Sequence, residues 1–325
     1  MKSKFLLSLG SLSLLLSVGL NLNLSSYQFK PALAEADDLY QKEKLVTQAP
    51  NNRIVIVFAT RRDATDLEKK AQAVTDFLSK ETGLKVEAVV ADETAAIEAL
   101  RSNRADVAFL GGRGALKAEQ LTGARMYLAE VRPDYSGGKT YKSVVVVKKD
   151  SPLKTLGNAK QTLGQLKGKK MAFASRTSGS GYIIPTSTFV GDGLVKNPDD
   201  YGKFFSEVMY GDGYTSALQA VLRGQVDAAA VSEYALNPPW ITAAEAQQLR
   251  VLWSIPGVPA HGIVIDNDVP QATREKLVNA LLELNEPNNK AMFTTLYNST
   301  QLVRVDHDQH LAPMKTALQR AKIDP

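Results

Sequence analysis

The stretch that decides the fold is residues 170–185, KMAFASRTSGSGYIIP, which runs from a buried strand through a polar loop into a helix. The strand is predicted over residues 170–174 and the helix over residues 181–189. The loop between them is rich in hydroxyl groups and glycine, so backbone N–H groups and Ser or Thr side chains can converge on one point. A helix start adds about half a positive charge there, which suits a phosphate-like oxyanion. The composition equally fits an ordinary N-cap with flexible turn residues. The loop is not a P-loop, because it has no Gly-Lys-Ser/Thr ending.

Short apolar strands alternate with helices on both sides of this loop. Upstream, strands are predicted at residues 53–58, 85–90 and 106–110, with helices between them. The pattern begins again after the Val-rich residues 141–148 and continues through a strand at residues 262–265 to a helix at residues 271–284. This alternation predicts mostly parallel sheets covered by helices, and its two halves predict two α/β lobes.

The N-terminus has the three-part pattern of a secretory signal peptide. Lys2 and Lys4 precede an apolar stretch at residues 5–24, and Ala32-Leu33-Ala34 forms a small-x-small cleavage pattern. We therefore predict a signal peptide at residues 1–34, a flexible lead at residues 35–52 and a periplasmic location. An uncleaved membrane anchor is the alternative, since the apolar stretch is nearly long enough to span a bilayer. The sequence contains no Cys, so a lipid anchor on that residue is excluded.

Charge and cysteine content exclude several classes of protein. The 39 basic and 34 acidic residues become 36 and 34 when Lys2, Lys4 and Lys30 leave with the signal peptide, giving a net charge of +2. Nothing in that balance indicates a nucleic-acid or anionic-membrane partner. Without Cys, the chain has no disulfides, no thiolate metal sites and no Cys nucleophile.

Four segments, in order, resemble one family: residues 105–111 (ADVAFLG), 141–151 (YKSVVVVKKDS), 178–185 (SGSGYIIP) and 224–230 (GQVDAAA). The chain is similar from residue 54 to about residue 321 to the phosphonate/phosphite/phosphate-type periplasmic substrate-binding proteins of ABC importers. The resemblance implies the type II periplasmic binding protein fold, in which two α/β lobes are joined by two crossing strands and the ligand lies in the interlobe cleft. Lobe I is expected at residues 53–143 plus 256–325, and lobe II at residues 144–255.

The resemblance also implies which residues hold the ligand. Ser178 and Ser180 match family serines that grip phosphonate oxygens, and Gly179 stands where the family usually has Thr. One hydroxyl is lost there, although the backbone N–H remains. Thr177 and Gly181 complete the predicted loop, and a Tyr at the start of the crossing strand is matched by Tyr141. Ser180→Ala is expected to weaken binding by about 1–3 kcal/mol if Ser180 donates to a charged oxygen.

Other positions depart from the family pattern. A family Tyr is replaced near Glu93 or Thr94, a His by Tyr214, and an Asp by His261. A family acid survives as Glu233 unless the alignment slips to Tyr234, and Glu233 is expected to accept a hydrogen bond from a protonated ligand oxygen. Loss of an acid that pairs with a ligand ammonium favours phosphite, phosphate or methylphosphonate over an amine-bearing phosphonate.

Arg113 is the best candidate cation, because its glycine neighbours in a predicted loop let the backbone approach a ligand. Arg113 and His261 are expected to complement the charge of the anion.

The residues favour a binding protein over an enzyme. No Gly-x-Ser-x-Gly elbow is present, and the Ser-rich loop has no committed base beside it unless His261 approaches across the cleft. His307 and His310 form a weak metal pattern that is better interpreted as a solvated loop or helix start. We predict no catalytic residues, no metal and no cofactor. The expected partners are a small oxyanion and ABC permease subunits, with the chain acting as a monomer. A ligand sensor that presents to a membrane-bound signalling receptor, or a binder of a different oxyanion, is the alternative.

Overall fold

The computed structural model describes residues 52–60, 66–132, 138–297 and 299–325. The predicted signal peptide, and all but the last residue of the predicted lead, lie outside these ranges. Within the described ranges, no helix combines the length and the apolar character needed to cross a membrane.

The described strands form two separate sheets. In chain order they are β1 Arg53–Ala59, β2 Lys85–Ala91, β3 Val107–Leu110, β4 Arg125–Val131, β5 Thr140–Lys148, β6 Lys170–Phe173, β7 Glu207–Tyr210, β8 Ala228–Ser232, β9 Leu249–Pro259, β10 Gly262–Ile265 and β11 Gln301–Arg304. The first sheet has the order β11-β4-β10-β3-β1-β2, and the second has the order β7-β6-β8-β5-β9. The sequence prediction of two α/β halves agrees with these two sheets.

Helices connect the strands and cover the sheets. They are α1 Leu67–Thr82, α2 Glu93–Arg101, α3 Gly112–Thr122, α4 Ala159–Gly164, α5 Ile184–Gly191, α6 Tyr201–Phe204, α7 Tyr214–Leu222, α8 Ala243–Ala246, α9 Gln271–Leu282, α10 Lys290–Tyr297 and α11 His307–Ala321. A π-helical turn, Gly179–Ile183, runs directly into α5, and 3-10 turns occupy Pro198–Asp200, Glu233–Leu236 and Glu283–Asn285.

Strand β1 is buried on both faces, which explains its continuous apolar run. Ile54, Ile56 and Phe58 point into one hydrophobic cluster, which also contains Leu78 of α1. The alternate residues of β1 point into a second cluster, which extends through α11 to the second sheet. The period of two residues in a strand produces this division, because successive side chains leave opposite faces.

The prediction of mostly parallel sheets is wrong at the strands that link the two sheets. Strands β1, β2 and β3 pair in parallel, as do β6, β7 and β8. Strand β10 is antiparallel to both its neighbours, and β5 is antiparallel to both β8 and β9. The chain enters these strands directly from the other sheet and not through a crossover helix, so the direction is not constrained to be parallel.

Two chain crossings connect the sheets, and they lie side by side. One joins β4, which ends at Val131, to β5, which begins at Thr140, and the other returns from β9 to β10 through Ala260 and His261. The Ala260 N–H donates to Lys139 O at 3.0 Å, which joins the two crossings. The C-terminal helix α11 then packs against α5. His307 and His310 are buried at its start, so their interpretation as solvated residues is wrong, although the helix start was predicted.

Candidate functional site

A cavity with a volume of about 180 Å³ lies where the two sheets meet. Its lining comes from the starts of α2 and α3, from β5, from the loop before the π-helical turn, from the start of α7, from the return crossing and from α11. The lining residues are Glu93, Gly111, Gly112, Arg113, Tyr141, Thr177, Ser178, Gly179, Tyr214, Pro259, His261 and Met314. Seven of the eleven residues predicted to bind ligand are in this set, and Ser180, Gly181, Glu233 and Thr94 are not.

Besides the start of α2, which contributes Glu93, three helix N-termini meet at this cavity. Helix α3 begins at Gly112, the π-helical turn that leads into α5 begins at Gly179, and α7 begins at Tyr214, all of which line the cavity. The first N–H groups of a helix lack intrahelical acceptors and carry partial positive charge. Arg113 lies in the first turn of α3, so its predicted placement in a loop is wrong. The arrangement favours a small anion over a cation.

The hydroxyl-rich loop is held by its own cap. Ser178 Oγ accepts a hydrogen bond from Gly181 N at 3.0 Å, which leaves the hydroxyl hydrogen available to a ligand. A β-carbon on Gly181 would lie 2.5 Å from Ala174 Cβ, so the turn needs glycine for close packing. A β-carbon on Gly179 would lie 2.8 Å from Met314 Cε. The side chain of Met314 therefore fills the space that the family Thr side chain would need.

Ser180 lies one layer below the cavity. It is fully buried, and its Oγ is 2.8 Å from the hydroxyl of Tyr214. Tyr234 donates to the same Tyr214 oxygen at 3.3 Å. Ser180 thus orients Tyr214, which itself lines the cavity. Burial raises the pKa of the neighbouring Tyr182 to about 12, so this ring is a neutral core residue.

The carboxylate of Glu93, one of the two residues at which the family Tyr is replaced, also lines the cavity. Asp92 caps α2 by accepting from Ala95 N, so the helix begins at Glu93, and Thr94 is exposed. Glu93 Oε2 accepts from Gly111 N at 3.2 Å, immediately before α3. A β-carbon on Gly114 would lie 2.6 Å from Glu93 Oε1, so α3 admits this carboxyl group only because Gly114 lacks a side chain.

His261 connects the cavity to a buried ion pair. Its Nδ1 is 3.3 Å from Glu130 Oε1, and Arg132 Nε is 3.4 Å from the same oxygen. Ser299 Oγ donates to Glu130 Oε2, and Arg132 Nη2 donates to Tyr297 O at 3.0 Å. An anion in the cavity and Glu130 on the opposite side of the His261 ring together favour the imidazolium form. In that form one ring nitrogen can donate to the anion and the other to Glu130.

Two further predicted residues have distinct environments. The ring of Tyr141 is stacked with that of His261 at 6.4 Å between centroids, and it faces the cavity. Glu233 Oε1 accepts from Lys142 N at 2.7 Å, and Oε2 is 3.7 Å from Lys142 Nζ. Glu233 therefore supports β5 from outside the cavity lining.

One cluster of acidic and histidine side chains lies outside the cavity lining, and Arg125 pairs with one of its carboxylates. Glu119, His307 and Asp308 have ligand atoms within 4.8 Å of one another. Arg125 Nη2 donates to Asp308 Oδ2 at 2.6 Å and holds the pKa of that carboxyl below its usual range. His307 Nδ1 accepts from Met126 N at 2.7 Å, and Nε2 faces Glu119 at 3.2 Å.

Comparison with known proteins identifies the family. A family model described as the periplasmic substrate-binding protein of an ABC phosphonate transporter matches residues 56–311. The phosphonates-binding periplasmic protein of Escherichia coli (strain K12) is 27% identical over 241 residues, which cover 73% of this chain and 68% of that protein. The phosphate-import protein PhnD of Mycolicibacterium smegmatis is 27% identical over 206 residues, and the match spans 62% of each chain.

The fold has solved counterparts. PhnD1 from Prochlorococcus marinus, determined in complex with methylphosphonate, matches with a TM-score of 0.67 at 19% identity, covering 84% of this chain and 99% of that chain. This similarity confirms the type II, two-lobe fold predicted from the sequence. The family model also confirms the predicted resemblance, since it extends over most of the chain. The protein therefore belongs to the family of periplasmic substrate-binding proteins of ABC phosphonate transporters.

Proposed function

We propose that this protein is the extracytoplasmic solute-binding component of an ABC importer and captures a small phosphorus oxyanion. Phosphite, phosphate and a short alkylphosphonate are the candidate ligands. The observation that carries the proposal is the meeting of three helix N-termini and the Ser178 hydroxyl at one cavity of about 180 Å³. Pockets for drug-sized ligands occupy about 300–1,000 Å³, so this cavity suits a smaller molecule.

Each side of the cavity contributes different groups to the anion. From the second sheet, Thr177 and Ser178 offer hydroxyls, and the backbone of Gly179 offers an N–H group. From the first sheet, Arg113 offers its guanidinium, whose buried Nε has no hydrogen-bond acceptor among the described residues. Hydrogen bonds to a charged ligand contribute about 1.5–3 kcal/mol each, so a few of them are enough for tight binding.

The lining comes from both sheets, which supports capture by lobe closure. The proposed lobes are residues 53–143 plus 256–325 and residues 144–255. A ligand that contacts both lobes favours the closed state by the difference between its affinities for the closed and open states. Closure removes water and strengthens each charged hydrogen bond.

Export and partners complete the proposal. The signal peptide at residues 1–34 is removed, no lipid anchor is attached, and the protein acts as a monomer that docks on permease subunits. The periplasmic location and the permease partner are supported by the family, whose members are periplasmic substrate-binding proteins of ABC transporters.

Titration calorimetry on the chain from Glu35 tests the proposal, after unfolding and refolding to remove bound ligand. The panel is phosphite, phosphate, methylphosphonate, 2-aminoethylphosphonate and sulfate. We expect one or more phosphorus oxyanions to bind tightly. Arg113→Gln should weaken that binding by about tenfold or more, and Arg223→Gln, at the exposed end of α7, serves as the control. No heat with any phosphorus compound would refute the proposed ligand class.

A further inference from the structure

The cavity proposed to hold an anion contains one carboxyl group. Glu93 lines it and accepts a hydrogen bond from Gly111 N at 3.2 Å. The other charged side chains in the lining are Arg113 and, when protonated, His261. A carboxylate has only acceptor oxygens, so it repels the oxygens of a fully deprotonated anion. Its presence at an anion site therefore restricts what the bound anion can be.

The carboxyl group is built into the fold and does not reach the cavity by chance. Its position depends on the Asp92 cap, which begins α2 at Glu93, and on the missing side chains of Gly111 and Gly114. A β-carbon on Gly111 would lie 3.3 Å from Glu93 Oε2 and 3.1 Å from His261 Nε2. The carboxyl group and the imidazole thus face the same small space from two sides.

We propose that Glu93 selects a ligand that still carries an acidic proton, and that the ligand's P–OH group donates this proton in a hydrogen bond to Glu93. The inference rests on the proposed function and specifies its ligand as the singly protonated form of a phosphorus oxyanion. The remaining oxygens then receive hydrogen bonds from Ser178, Arg113 and the backbone. A tetrahedral anion without a proton, such as sulfate at neutral pH, leaves two acceptors facing each other and is rejected.

The surroundings of Glu93 favour a shared proton over a ligand ammonium group. The carboxyl group lies at the start of α3, where partial positive charge accumulates, and Arg113 extends from the same turn. An ammonium group at Glu93 would share the cavity with that guanidinium and with His261. A P–OH group is neutral and adds no charge there. Glu233, the acid predicted from the sequence for this role, is engaged with Lys142.

The groups that could also titrate near Glu93 are few. Arg113 and His261 line the same cavity, with Glu130 behind His261, and Tyr141 and Tyr214 complete the titratable residues of the lining. Two imidazoles are expected to change charge in the tested pH range: that of His261 and that of His310, whose Nε2 lies 3.0 Å from Ala260 O beside it. Sulfate does not titrate there, so its affinity reports the state of these two imidazoles and can be subtracted.

The test compares the wild-type protein with Glu93→Gln and with a control on the same helix. The substituted amide side chain has nearly the same shape as the carboxyl group, but it can donate to an unprotonated oxygen. The control is Glu98→Gln, because Glu98 pairs with Arg101 at 2.7 Å on the exposed face of α2. Calorimetric Kd values for phosphite, phosphate and sulfate are measured at about pH 5.5 and about pH 8, on either side of the second ionisation of phosphate groups.

We expect the wild type and Glu98→Gln to bind the phosphorus oxyanion at least about tenfold more tightly than sulfate. For phosphite, whose dianion has no P–OH group, this preference should fall at the higher pH, whereas phosphate keeps one P–OH group and should keep its preference. Glu93→Gln should bind sulfate about tenfold more tightly than the wild type does, and its preference for phosphite should no longer depend on pH.

Two results would overturn the inference while leaving the proposed function in place. The first is an unchanged phosphorus-to-sulfur preference in Glu93→Gln. The second is tight wild-type binding of 2-aminoethylphosphonate alone, abolished in Glu93→Gln, which would assign Glu93 to an ammonium group. If no phosphorus compound binds to the wild type, the proposed function fails, and the inference fails with it.

Discussion

Glu130→Gln should destabilise the fold far more than the same substitution in an exposed ion pair. Glu130 is 1% exposed and Arg132 is 6% exposed, and their charged atoms lie 3.4 Å apart. Removing the carboxylate leaves the guanidinium buried without its nearest described counter-charge. Breaking a buried pair in this way costs about 3–5 kcal/mol, a large part of the about 5–15 kcal/mol by which typical domains are stable.

Glu207→Gln is the matched control. Glu207 Oε2 is 2.7 Å from Lys170 Nζ, but both side chains are about half exposed, at 49% and 50%. Water and salt screen such a pair, so its loss should reduce the free energy of unfolding by about 1 kcal/mol at most. Both variants are compared with the wild type by urea unfolding of the chain from Glu35, with a common m-value as the test of two-state behaviour.

The two variants distinguish the effect of burial on stability from the effect of the distance within the ion pair. The exposed Lys170–Glu207 pair has the shorter distance, so distance alone would predict the larger loss there. If the loss in Glu130→Gln is no larger than in Glu207→Gln, the Glu130–Arg132 contact is not a desolvated ion pair. Glu130→Gln should also weaken anion binding, since His261 loses the carboxylate that favours its charged form. Wild-type affinity in that variant would mean that His261 binds the anion without help from Glu130.

Three further substitutions have defined outcomes. Ser180→Ala should lower the free energy of unfolding by about 1 kcal/mol and weaken anion binding by less than about fivefold, because Ser180 contacts Tyr214 and not the cavity. A loss of affinity of about 100-fold in calorimetry would show direct contact with the ligand. Gly181→Ala should destabilise by about 1–3 kcal/mol in urea unfolding, because a β-carbon there would lie 2.5 Å from that of a neighbouring side chain. Gly202→Ala is the control, because a β-carbon there would meet no atom within 4 Å, and it should not lower the free energy of unfolding. Equal losses of stability in the two variants would contradict the packing argument. Burial lowers the pKa of His310, so the unfolded chain takes up the proton first as the pH drops. The free energy of unfolding should therefore fall below pH 6.5, the ordinary pKa of His, by at most about 1.4 kcal/mol per pH unit. His310→Gln should flatten that loss between about pH 7 and about pH 5 in urea unfolding, and an unchanged slope would exclude His310 as its source.

Local patterns in the sequence were enough to predict the hydroxyl-rich loop and the strands other than β4 and β11. Residues 53–58 are continuous β-branched and aromatic residues after the initial Arg, and both faces of β1 are buried as that pattern predicts. The loop before Gly181 ends in a helix because Ser178 caps it, which is again a local interaction. Tyr214 and His261 were placed at the cavity by resemblance to a family, and the structure brings both to its lining.

Long-range contacts determine the features that the sequence did not predict. Helix α3 was missed because glycines at 111, 112 and 114 lower helix propensity. Tertiary packing requires glycine at two of these positions. A β-carbon on Gly112 would lie 3.0 Å from Pro259 Cγ, and one on Gly114 would lie 2.6 Å from Glu93 Oε1. The role of Met314 depends on α11 returning across the cavity, which no local pattern encodes. Asp92 was the one available signal for Glu93, since an Asp at that spacing caps a helix beginning at the next residue.

The position of the cavity relative to the two crossings explains how a bound anion could affect closure. Tyr141 lies at the start of β5, just after one crossing, and His261 lies within the other. In the proposed closure, residues at the crossings are expected to move least, whereas Ser178 and the start of α7 belong to the proposed lobe II, which would move toward α3. Ligand contacts with Tyr141 and His261 can therefore form in both states, and contacts with Ser178 form fully only on closure. Only the second kind can shift the equilibrium, because a ligand favours a state by the difference in its affinities. Substitutions at Ser178 should thus alter closure and affinity together, while those at His261 should alter affinity with little effect on the extent of closure.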